Sequence, residues 1–85
     1  MSEERKLIGK VTHYFGRISV AGISLNDTLK VGETISIEGA TTGFQEVISS
    51  MQIDQKNVTE AHAGDLIGIK VKDKVRVGDS VYLIS

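Results

Sequence analysis

Residues 30–37 read KVGETISI, and the phrase returns twice, as AGDLIGI over 63–69 and as RVGDSVYL over 76–83. Each copy holds a glycine followed by an acid: Gly32-Glu33, Gly64-Asp65 and Gly78-Asp79. Three and five positions after each glycine stand apolar residues: Ile35 and Ile37, Ile67 and Ile69, Val81 and Leu83. Glycine takes positive φ at no steric cost, so it reverses a chain where another residue would be strained. The acid that follows accepts a backbone N–H and suits the exit of such a turn. The apolar pair then enters a sheet with both side chains inward, because a slip of one residue would turn that face to water. The repetition is architectural: one turn, written three times.

Outward from these phrases the same period of two persists. Ile18 and Val20, Ile35 and Ile37, and Ile67, Ile69 and Val71 alternate with polar or small residues, as in strands with one buried face. With glycines as punctuation, the pattern predicts strands near 7–14, 17–24, 34–38, 44–54, 66–72 and 80–84. Only 55–63, QKNVTEAHA, has enough helix formers for a turn of helix, and a loop or single turn is expected there. The expected fold is all-β: a six-stranded, mostly antiparallel closed β-barrel, since closure removes the exposed edges of an open sheet.

Eighty-five residues make one domain, 1–85, with residues 1–6 expected as a flexible N-terminal tail. Apolar residues form 40% of the chain, while the large aromatics are only Tyr14, Phe15, Phe44 and Tyr82, so the core must be aliphatic. The absence of cysteine excludes disulfides, zinc–thiolate sites and thiol catalysis. The start, MSEERKLIGK, has no apolar segment of a secretory signal, and no run approaches membrane-spanning length, so a cytoplasmic location is expected. A net charge of −1 and a pI near 6.1 leave any nucleic-acid contact to a local basic patch.

Four landmarks in order carry a family resemblance: Gly22-x₆-Leu29-Lys30-Val31-Gly32-Glu33, then Glu60-Ala61-His62-Ala63-Gly64-Asp65, then Gly68-Ile69, then Gly78-Asp79. Over roughly residues 8–84 they resemble the second domain of translational GTPases, the barrel after the G domain in elongation factor Tu and initiation factors. The chain also looks like small free-standing barrels of the translation elongation factor type, and like an accessory barrel attached to some collagenase-like peptidases. The resemblance implies a role near translation, contacting tRNA, rRNA or a protein of that machinery. The chain lacks a G-x-x-x-x-G-K-[ST] loop, so it binds no GTP by itself. In elongation factor Tu a glutamate and an arginine before the E-A-x-A-G-D-like segment help hold the aminoacylated tRNA end. The matching positions here are Gln52 and Gln55, whose amides can still bond a ribose or base.

Two basic groups are candidates for phosphate contact. Lys70, Lys72, Lys74 and Arg76 would share one face of an extended strand, although Lys72-Asp73-Lys74 also reads as an ordinary solvated turn. Arg5, Lys6, Lys10, His13 and Arg17 lie near Tyr14 and Phe15, an interleaving that suits single-stranded RNA. The two histidines, His13 and His62, have no metal-ligand partner at suitable spacing, and the acids after the turn glycines share a structural context. No catalytic constellation, metal site or cofactor site emerges, and a binding module rather than an enzyme is expected. A second reading is an accessory protein-interaction barrel acting in trans with an enzyme such as a collagenase-like peptidase. In that case exposed apolar residues such as Leu66, Tyr82 and Ile84 would matter more than the lysines.

Overall fold

The computed structural model describes residues 5–84. Its strands are β1 (Arg5–Phe15), β2 (Val20–Leu25), β3 (Leu29–Lys30), β4 (Thr34–Glu38), β5 (Gly43–Val47), β6 (Met51–Ile53), β7 (Lys56–Val58), β8 (Glu60–Ala61), β9 (Leu66–Lys70) and β10 (Ser80–Ile84). Eight of them form one antiparallel sheet in the order β5-β4-β10-β1-β2-β9-β6-β7, and β3 pairs with β8 in a separate ribbon.

The repeated phrase folds as the same device each time. Gly32, Gly64 and Gly78 take φ of +96°, +92° and +96°, the left-handed range in which a side chain is strained. Around each glycine a four-residue turn closes, with the N–H of Glu33, Asp65 or Asp79 donating to the carbonyl of Lys30, His62 or Arg76. The acid side chain closes the turn a second time. Glu33 Oε1, Asp65 Oδ2 and Asp79 Oδ2 accept the N–H groups of Lys30, His62 and Arg76 at 2.8, 2.8 and 2.9 Å. Each turn then feeds a strand, β4, β9 or β10, and extends its ladder onto one buried aliphatic residue. The N–H groups of Ile48, Leu25 and Val11 donate to the carbonyls of Glu33, Asp65 and Asp79, while their carbonyls accept from Gly32, Gly64 and Gly78.

The apolar residues after each turn therefore enter in one register. Ile35, Ile37, Ile67, Ile69 and Val81 are buried in a single aliphatic core with Ile8, Val11, Ile23, Leu29, Ile48 and Met51, and Leu83 packs against it half-buried. Burying each such side chain stabilises the fold by about 1.5–3 kcal/mol.

The expected six-stranded closed barrel is corrected to an open sheet. Among the described residues no ladder joins the end strands β5 and β7. The strand expected over 44–54 breaks after β5, because the backbone of Ile48 is held by Gly32 and Glu33. The chain resumes as β6, which pairs with β9, and β7 then folds back along the outer side of β6. In the Lys30–Glu33 turn the Val31 N–H donates to the Thr59 carbonyl. The segment 55–63, expected as a loop, contains β7 and β8. Of the tail expected at 1–6, residues 1–4 lie outside the described residues, and Arg5 and Lys6 pair with Ile84 and Leu83.

Candidate functional site

The two halves of the sheet's outer face differ. Over β4, β10 and the start of β1 it carries polar contacts, beside the exposed Leu7. The Arg5 guanidinium lies 4.9 Å from the centre of the Tyr82 ring and forms an ion pair with Glu38. The Glu38 carboxylate also accepts the Ser36 hydroxyl at 2.8 Å. The Ser36 hydroxyl is the main reason that the Glu38 carboxyl lies below its usual range; burial opposes it, and Arg5 adds smaller lowering contributions. Lys6 does the same for Asp27, helped by the Thr28 N–H. Tyr82 and Ile84, expected to stand exposed, are half-buried.

Over β1, β2, β9 and β6 the outer face carries apolar side chains and little cover. Along β2 and β9 alternation sends Ala21, Ile23, Leu25, Ile67 and Ile69 inward and leaves Val20, Gly22, Ser24, Leu66, Gly68 and Lys70 outward. The register sets Gly22 opposite Gly68, with His13 and Gln52 next along the same row. The middle of this face therefore lacks side chains. Around it Phe15, Ile18 and Leu66 are 52%, 58% and 63% exposed, and the His13 ring stacks on Phe15 at 6.0 Å. The result is a groove of about 390 Å³, walled by Phe15, Ile18, Val20 and Leu66, floored by Gly68 and edged by Gln52, Asp54 and Gln55.

The groove's backbone is unusual. The non-glycine residues with positive φ among those described are Ser19 (54°), Asp54 (52°) and Gln55 (66°), and all of them border it. Asp54 and Gln55 line the groove, and Ser19 separates Ile18 from Val20. A side chain in this region costs ~1–2 kcal/mol per residue. Gly68, by contrast, has no positive φ and has room for a Cβ. A Cβ there would meet only the Val20 Cγ1 within 4 Å, at an ordinary 3.4 Å.

The candidate residues named from the sequence divide between places. Lys10, His13, Gln52, Gln55 and Lys70 stand on or at the edge of the uncovered face, and Arg17 lies in the turn that carries Ile18. The row of four cations on one strand does not form, because β9 ends at Lys70. Beyond it the Lys72 N–H is taken by Glu46 Oε1 at 2.7 Å and the Arg76 N–H by Asp79, so Lys72, Lys74 and Arg76 lie in an irregular stretch. Among the described residues no group of three or more His, Cys, Asp or Glu is placed to hold a metal ion, and no helix is long and apolar enough to cross a membrane.

No family model matches the chain. Its backbone superposes on two crystal structures of the C-terminal domain of a protein described as a U32 peptidase from Geobacillus thermoleovorans. The TM-scores are 0.85 and 0.86 at 18% and 17% identity, covering 89% and 92% of this chain and 96% and 91% of the other. The chain has that domain's fold. In sequence it is 47% identical over 85 residues to an uncharacterized protease of Methanocaldococcus jannaschii, and 32% identical over 83 residues to a collagenase of Porphyromonas gingivalis. These alignments take in 98% and 95% of this chain but 21% and 23% of the relatives, so the chain spans about a fifth of the curated relatives' length. The resemblance to the translational GTPase barrel is corrected accordingly, and the expected translation role and RNA contact fall with it. The glycine–acid turns that carried it serve the sheet of this chain, and the similar proteins are a protease, a collagenase and a peptidase domain.

Proposed function

We propose that the chain is an accessory domain of the kind found in U32-type peptidases, serving a peptidase-like body by binding protein rather than by cleaving it. The observation that carries this reading is the form of the match: nearly the whole chain aligns, as one unit, with about a fifth of a much longer protease. The corresponding Geobacillus domain crystallised by itself, as expected of a self-contained module. The physical features agree with a binding role, since the uncovered outer face offers apolar side chains to a partner while the aliphatic interior is filled.

A graft tests it. In the Porphyromonas collagenase, the segment matching this chain is deleted, or replaced by this chain, and cleavage of gelatin is followed. The deletion is expected to lower cleavage, the graft to restore it, and the isolated chain to release no peptides. Cleavage by the isolated chain, or full activity of the deletion, would overturn the proposal.

A further inference from the structure

The geometry points to the Phe15–Ile18–Leu66 groove as a seat for a short, extended polypeptide segment with an apolar centre and acidic flanks. This inference rests on the accessory-domain reading and names what the domain would hold.

Size argues for a segment rather than a domain face. A volume of about 390 Å³ is at the low end of ligand-sized clefts, ~300–1,000 Å³. The three exposed apolar walls are few beside the ~20–30 residues per side of a stable protein interface. The floor has no side chain at Gly68, so a partner's apolar group can lie against sheet backbone there. At the edge, the Gln52 and Gln55 amides offer donors and acceptors of the kind an extended backbone uses. Gln52 also donates to Asn57 Oδ1 at 3.1 Å.

Charge selects the flanks. Arg17 lies beside Ile18 in the turn, and Lys70 points outward on β9 opposite Val20. Neither is in an ion pair among the described residues, where the pairs are Arg5–Glu38, Lys6–Asp27 and His62–Glu60. Asp54 is the acid on the groove's lining, with Lys56 two residues on. The rim therefore favours carboxylates on the segment and disfavours lysines.

The test uses the whole chain, labelled with ¹⁵N, and two capped octapeptides with the same Leu-Phe-Leu centre, one flanked by glutamates and one by lysines. Amide shifts on titration are expected to concentrate at Ile18, Gly22, Gln55, Leu66 and Gly68. The glutamate peptide is expected to bind at least about tenfold tighter, an advantage that shrinks as salt is raised. Gly68→Val adds a side chain to the floor whose Cβ would meet Val20 Cγ1 at 3.4 Å, and it is expected to leave the spectrum away from the groove unchanged. It should weaken the glutamate peptide by about tenfold, the loss of one seated aliphatic side chain. Leu66→Ser, on an exposed position, is the second probe. Shifts that scatter or gather elsewhere, equal binding of both peptides, or unchanged binding to Gly68→Val would overturn the inference. So would concentration-dependent broadening confined to the groove, which would make a second copy its occupant. Such failures leave the accessory-domain reading standing if the collagenase graft still restores gelatin cleavage.

Discussion

Gly39→Ala offers a quantitative test of how the third turn is built. Asp79 is almost fully buried at 6% exposure, and its Oδ2 accepts the Arg76 N–H at 2.9 Å. A Cβ on Gly39 would lie 2.7 Å from Asp79 Cγ and closer still to Oδ1, and its three nearest atoms all belong to that carboxylate. The added methyl must therefore displace the Asp79 side chain. The turn then loses a hydrogen bond to a carboxylate, whose removal costs ~1.5–3 kcal/mol. Asp79→Ala should cost about the same by removing the bond directly. In the Asp79→Ala background, however, the obstructing atoms are gone. There Gly39→Ala should be neutral, or stabilising by ~0.4–1 kcal/mol through the unfolded chain. The double-mutant cycle thus predicts a coupling of about 2 kcal/mol or more. Urea unfolding followed by circular dichroism reads it. With a slope near 1 kcal/mol/M for a chain of this size, each single variant should lower the midpoint by ~2 M. The double variant should stay close to Asp79→Ala alone. Additive losses in the double variant would refute the reasoning, because the steric conflict would then lie elsewhere.

Two further outcomes follow from the same geometry. Gly32→Ala, Gly64→Ala and Gly78→Ala each place a Cβ in open space at φ of +92° to +96°, so backbone strain alone should destabilise them, by a similar ~1–2 kcal/mol. Widely different unfolding midpoints among the three would deny the equivalence of the turns. The carboxyls of Glu38 and Asp27 are held below their ordinary values of 4.5 and 3.8 when folded, so their contribution is present above those values and lost as pH falls through the lower folded ones. Stability measured by urea midpoint should be level towards neutrality and decline in acid below about pH 4.5. Glu38→Gln with Asp27→Asn should flatten that decline, and an unchanged acid limb would show that other groups govern it.

The turns were legible because a positive-φ glycine and an acid closing on the residue three before it are local requirements, written in adjacent letters. Ile35, Ile37, Ile67, Ile69 and Val81 were legible for the same reason, since each turn sets the phase of the strand that follows. The break at Ile48 was not, because its cause is a pair of hydrogen bonds to Gly32 and Glu33, far away in sequence. The Asp54–Gln55 reversal was hidden too: both residues take positive φ without the glycine that usually marks such a hairpin. The groove was missed through a phase error. The alternation of Ile18 and Val20 suggests an inward face, whereas the strand starts later and buries Ala21, Ile23 and Leu25. Moving Val20 outward and Ile18 into a turn is what exposes the groove's wall. Leu66 was expected to face out, and it does, because its place is fixed by the Gly64–Asp65 turn.

Amide hydrogen exchange on the isolated chain tests the architecture most directly. The N–H groups of Gly32, Gly64, Gly78, Ile48, Leu25 and Val11, which tie the three turns to the sheet, should exchange only at the rate of global unfolding. The outward edges of β5 and β7 should exchange orders of magnitude faster, as free edges of an open sheet. Equal protection of those two edges would mean that they are joined in a closed barrel. Fast exchange at the three glycines would mean that the turns do not hold the sheet.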